Sequence, residues 1–151
     1  MPTRLLAEEI ARYETLLDLL ERESEALCRV DARALEDAAN AKFAVVGELE
    51  RLEAERHDAL TKECLPHNDI GMRQWLARLE GDAACAAWER LRDLAFRARD
   101  ANARNGRMLE RSRRHFASAL RALLGAAGVP EVYDAGGTAR ALATSRVRVA
   151  T

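Results

Sequence analysis

Apolar residues recur along this chain at alternating intervals of three and four, the repeat that gathers side chains onto one face of an α-helix. Leu6, Ile10, Tyr13, Leu17, Leu20, Ser24 and Leu27 form the first such seam, and Leu5, Leu16 and Leu19 widen it. The first helix is predicted from Arg4 to Val30 and, with so broad a stripe, faces more than one neighbour. Asp31 interrupts the pattern and suits an N-cap, because its carboxylate can accept from free amides of the next first turn. Leu35, Ala38, Lys42, Val45, Leu49, Leu52, Arg56 and Ala59 then carry the spacing through a second helix, with Val46 and Leu60 alongside. Lys42 and Arg56 are expected to lay their stems along this seam and reach water with their charged heads. Pro66 ends the helix, since the residue before a proline is pushed out of the α region.

His67-Asn68-Asp69 reads as a capped turn into a short helix, Ile70 to Glu80, with Met72, Trp75, Leu76 and Leu79 on one side. Gly81 fits its C-terminal cap and Asp82 the N-cap that follows. The last helix, Ala83 to Leu124, is the longest. Trp88, Leu91, Ala95, Ala98, Asn102, Asn105, Leu109, Ser112, Phe116, Ala119 and Leu123 alternate three and four without a break. At about 1.5 Å per residue it spans roughly 60 Å. The pattern therefore predicts an all-α fold over residues 1–124: an elongated antiparallel bundle of three long helices plus one short helix.

From Gly125 the repeat dissolves into Gly125, Gly128, Pro130, Gly136, Gly137 and a basic end. Ordering backbone costs about 1–2 kcal/mol per residue, and the few Val, Leu and Tyr present return only about 1.5–3 kcal/mol each when buried. Residues 125–151 are thus expected to form a flexible, partner-binding tail. Tyr133-Asp134-Ala135-Gly136-Gly137 within it reads either as a turn or as a recognition segment that orders on binding. Thr138 to Val149 is expected to form a weak helix.

Charge adds an asymmetry. Residues 1–65 hold 9 basic and 16 acidic groups, net −7, and residues 66–151 hold 15 and 9, net +6. Acidic helices packed beside a basic one explain this without a ligand. Arg90, Arg97, Arg104 and Arg111 recur every seven residues, with Arg107 and Arg114 nearby, a stripe that could follow a phosphate backbone. Glu89, Asp93, Asp100 and Glu110 are interspersed, however, and no stacking aromatics accompany it, so nucleic acid is not the expected partner. Three widely spaced cysteines (Cys28, Cys64, Cys85) and a start without an apolar leader suggest reduced thiols in the cytoplasm, and no apolar run suffices for membrane insertion.

Motifs for chemistry are missing. His57, His67 and His115 lack a Glu three residues before them, there is no Cys-x-x-Cys, and no phosphate-binding loop or nucleophile elbow occurs. No catalytic residue, metal or cofactor is expected. The odd choices are polar residues on the last seam. Asn102 and Asn105, followed by Gly106, read either as a small polar layer where helices approach closely or as a polar patch awaiting a partner. Gly47 reads as a packing glycine of the same sort.

Several segments resemble the FlgN family of flagellar export chaperones. The run Leu16-Leu17-Asp18-Leu19-Leu20-Glu21-Arg22-Glu23-Ser24-Glu25-Ala26-Leu27 resembles that family's Leu-rich first helix, and Asp31 to Leu35 followed by Ala41-Lys42 through Leu49-Glu50-Arg51-Leu52-Glu53 its second. Asn102-Ala103-Arg104-Asn105-Gly106-Arg107-Met108-Leu109 is similar to its Asn-x-x-Asn-Gly-x-hydrophobic-hydrophobic segment, and Tyr133 to Gly137 to its Tyr-x-x-x-Gly tail signature. This resemblance implies a cytoplasmic chaperone of the hook–filament junction proteins FlgK and FlgL. Such a chaperone binds their C-terminal helices, prevents premature assembly and delivers them to the type III export apparatus. A helical groove with a tail that folds on binding suits the task. The expected partner-binding residues are Asn102, Asn105, Gly106, Met108, Leu109, Phe116, Tyr133, Asp134, Gly136, Gly137, Leu142 and Val147, on a monomer. A structural coiled-coil or oligomerisation module without a client is the alternative.

Overall fold

The computed structural model describes residues 2–79, 82–126, 131–133 and 139–141, with side chains for 3–78 and 82–125. Four helices carry most of the chain: α1 (Pro2–Arg29), α2 (Ala32–Lys62), α3 (Asp69–Leu79) and α4 (Asp82–Ala126). All four lie where the apolar spacing predicts them, and their ends differ from the predicted ones by a few residues. Two short strands follow, β1 (Glu131–Tyr133) and β2 (Ala139–Ala141). By internal contacts the chain forms two units, Met1–Leu109 and Glu110–Thr151.

In the first unit α1 and α2 form a hairpin with almost no linker. Val30 N–H donates to Leu27 O (3.4 Å) and Asp31 N–H to Ala26 O (3.0 Å), closing α1 with a Schellman cap. Asp31 then accepts from Ala34 N–H at 3.0 Å and starts α2. The same cap ends α2, with Cys64 N–H on Thr61 O and Leu65 N–H on Leu60 O. Each cap needs a left-handed residue, and Val30 (φ 57°) and Cys64 (φ 54°) supply it without being glycine. For a β-branched residue such as Val30 this conformation is strained.

The core sits at one end of the hairpin. Leu6 of α1 and Leu60 of α2 meet Met72, Trp75 and Leu76 of α3 and Trp88 and Leu91 of α4, so the short helix covers that end of the first unit. Asn68 caps α3 by accepting from Gly71 N–H at 3.1 Å. Gly71 is required there: a Cβ would lie 1.9 Å from Pro66 O. A second cluster, Leu16, Leu20, Leu49 and Ala98, continues along the three long helices.

Two cations behave differently from expectation. The heads of Arg56 and Lys42 do not turn out to water; they pair with acids of α1 that are themselves buried. Arg56 Nε donates to Glu9 at 3.0 Å, and Lys42 Nζ donates to Glu23 at 2.6 Å. Glu9, Leu16 and Glu23 are one heptad apart on α1, and Arg56, Leu49 and Lys42 are one heptad apart, in reverse order, on α2. A one-heptad slip would set a glutamate against Leu49, leaving a buried charge unpaired. These pairs therefore specify the hairpin register more than they stabilise it. Trp88 stacks on the Arg56 guanidinium, whose carbon lies 5.2 Å from the ring centroid, and donates its indole N–H to Asp69 at 2.7 Å. Burial raises the Glu9 pKa despite the adjacent Arg56, and raises that of Tyr13, beside which Glu53 and Glu9 add negative charge.

In the second unit β1 and β2 pair antiparallel, with Glu131, Val132 and Tyr133 opposite Ala141, Arg140 and Ala139. Ala139–Ala141 are thus extended, not part of the weak helix expected over Thr138–Val149. A ladder of three residues per strand is too short to stand alone, and backbone pairing here takes precedence over the helical preference of alanine.

Candidate partner-binding surface

Along α4 the seam holds one spacing throughout, but its environment changes. Leu91, Leu94, Ala98 and Asn105 are buried; Leu109, Phe116, Leu120 and Leu123 are exposed. At about 100° per residue Phe116, Leu120 and Leu123 fall on one side of the helix, with Leu124 at its margin. Phe116 is 61% exposed and Leu123 69%. Isolated surface leucines need no explanation, whereas a contiguous apolar stripe marks an interaction surface. The rest of Glu110–Ala126 is cationic, with Arg111, Arg113, Arg114 and Arg121 against Glu110 alone. Arg113 and Arg114 share that glutamate at 3.7 Å, and Arg121 bonds Ala117 O.

The predicted partner-binding residues separate on this geometry. Leu109 and Phe116 are exposed, and Phe116 lies in the stripe. Met108 is half-buried, its sulfur 3.9 Å from Ser24 Oγ. Asn105 is buried inside the first unit and its amide is already occupied, donating to Leu20 O (2.7 Å) and Glu23 (2.8 Å). Asn102 is exposed and accepts from Lys42 at 3.2 Å. The two asparagines and Lys42 thus form a satisfied polar layer. Gly106 is not part of a close helix approach, and neither is Gly47: a Cβ at either position meets nothing within 4 Å. Tyr133 lies in β1, while Asp134, Gly136, Gly137, Leu142 and Val147 lie outside the described residues.

Leu120, Leu123 and Leu124 were not among the predicted site residues. The signal available for them was the spacing itself, since Leu120 and Leu123 follow Phe116 at intervals of four and three. The arginine stripe is largely neutralised within the protein. Arg90 pairs with Glu14 of α1, and Arg97, Arg104 and Arg114 with acids one turn earlier on α4. Among the described residues no three His, Cys, Asp or Glu side chains gather as a metal site, and no helix is long and apolar enough to cross a membrane.

The family model of the FlgN protein matches residues 1–141. The chain belongs to the FlgN family. A crystal structure of a flagella synthesis protein FlgN from Pseudomonas aeruginosa is similar to it, with 28% identity and a TM-score of 0.67. That likeness covers 72% of this chain and 86% of the Pseudomonas chain. Among curated proteins none matches. FlgN membership implies a role as a flagellar export chaperone, and the family is one of chaperones rather than enzymes.

Proposed function

We propose that this FlgN-family protein acts in the cytoplasm, holding the C-terminal helices of the hook–filament junction proteins FlgK and FlgL and delivering them to the type III export apparatus. The observation that carries this reading is the exposed stripe of Phe116, Leu120 and Leu123 on the Glu110–Ala126 part of α4. An amphipathic client helix lying along it completes the interrupted packing. Each large side chain so covered contributes about 1.5–3 kcal/mol, from which the cost of association is subtracted. Residues 125–151, with Tyr133, Asp134, Gly136, Gly137, Leu142 and Val147, fold over the same client. Their ordering cost weakens the grip and allows release at the export apparatus.

Titration calorimetry of the full chain with purified FlgK and FlgL tests the reading. Phe116→Ser combined with Leu120→Ser is expected to abolish binding while leaving the helical far-UV signal intact. Truncation after Leu124 is expected to weaken it. Unchanged binding by the double variant would sink the surface assignment, and unchanged binding by the truncated chain would remove the tail. The alternative, a clientless coiled-coil module, requires the stripe to pair with its own copy, and four arginines against one glutamate in Glu110–Ala126 oppose that.

A further inference from the structure

The Met1–Leu109 unit carries a second surface, an open groove of about 760 Å³ between α2 and α4. Leu16 and Leu20 of α1 line it beside Lys42 and Val46 of α2 and a row from α4: Arg92, Ala95, Phe96, Arg99 and Asn102. Within that row Arg92, Phe96, Arg99 and Asn102 follow at intervals of four, three and three, the arrangement into which the ridge of another helix packs. Phe96 is 70% exposed, a large aromatic in open solvent away from the buried seam of α4. The lining holds three cations and no carboxylate: Lys42 from the acidic half of the chain, and Arg92 and Arg99 from the basic half. Lys42 is held by Glu23, and Arg92 lies between Asp69 and Glu89. Arg99 is therefore the groove's cation without a carboxylate partner among the described residues.

We propose that this groove docks an acidic amphipathic helix of another protein, separately from the stripe on Glu110–Ala126. One carboxylate of the guest meets Arg99, and a second, one heptad away, lies towards Arg92. The apolar residues between them cover Ala95, Phe96 and Val46. Charge complementarity selects the guest: a cationic lining favours an acidic helix and disfavours a basic one.

Fluorescence anisotropy with the full chain and labelled synthetic helices tests this. The probes are Ala/Leu peptides of about 18 residues, one carrying Glu at heptad-spaced positions on its flank and one carrying Lys there instead. The Glu peptide is expected to bind, more weakly as salt rises, and to lose at least about tenfold in affinity with Arg99→Glu and with Phe96→Ser. Both positions are exposed, so the fold should survive, which circular dichroism checks. Phe116→Ser with Leu120→Ser should leave this binding unchanged, which separates its failure from that of client binding. Equal binding of the Lys peptide, indifference to Arg99→Glu, or loss with the Phe116/Leu120 pair would overturn the proposal. So would concentration-dependent dimerisation abolished by Arg99→Glu, which would make a second copy the occupant.

Discussion

Two stretches of α4 share one pattern and differ in what the pattern does. Before Leu109 the seam residues Leu91, Leu94 and Ala98 are buried, Leu91 against α1, α2 and α3 and Ala98 against α1 and α2. After it Phe116, Leu120 and Leu123 hold the same spacing and stand in solvent. Spacing thus measures the capacity of a face to be buried, and a neighbour of sufficient length decides whether it is. Polar residues follow the same division. Asn105 in the buried stretch donates to both Leu20 O and Glu23, as a buried amide must. In the exposed stretch two of the four arginines, Arg113 and Arg114, share a single glutamate, because solvated charges need no matched partner.

The largest effect should come from the buried pair in the first region. Arg56→Ala leaves the Glu9 carboxylate buried and alone, and should cost about 3–5 kcal/mol in urea unfolding. Glu9→Leu with Arg56→Met removes both charges and should be near neutral. If the double variant cost as much as the single, the pair would be a source of stability and not a device for register. Next comes the direct contrast between the regions. Leu20→Ala should cost about 2–5 kcal/mol, whereas Leu120→Ala should stay within about 0.5 kcal/mol. Equal losses would mean that the stripe is covered in the free protein.

Glycines sharpen the contrast at smaller scale. Gly71→Ala pushes a methyl into Pro66 O and should destabilise by about 1–3 kcal/mol. Gly106→Ala meets open space and should stabilise by about 0.8–1 kcal/mol, because alanine is the better helix former. Thermal melts of the two variants should therefore move in opposite directions.

The last test uses pH. Hydrogen bonds from Trp88 and then Arg73, with Arg92 close by, hold the Asp69 carboxyl below its ordinary pKa. Its contribution is present above the unfolded value of about 3.9 and is lost as pH falls through the depressed folded value. Glu9 acts in the opposite sense. Its pKa is raised by burial, so its contribution declines as pH rises from the ordinary glutamate value through the raised one. The stability gap between the wild type and Asp69→Asn should close on acidification, read by urea melts at a series of pH values. A gap independent of pH would show that Asp69 acts by packing alone.

Much of the first unit was legible because its signals are local. Asp31 as a cap, Pro66 as a stop and the four helices follow from spacing and from backbone groups that demand partners within a few residues. The caps at Val30 and Cys64 were not legible, since the expected glycine is missing and the strain is accepted for a tight hairpin. Of the predicted site, Leu109 and Phe116 are exposed, and Asn105 proved interior, because an asparagine on a seam looks the same from sequence whether its partner is a backbone carbonyl or a client.

The order and type of the helices, the apolar seams and the opposed charge of the two halves were determined by sequence alone. They depend on interactions within a few turns of one helix and on composition. Which cations are buried, which acids meet them and where the α4 seam loses its cover were decided by tertiary structure. Those outcomes turn on residues dozens of positions apart, such as Glu9 with Arg56, whose proximity exists only after the hairpin has closed in one register.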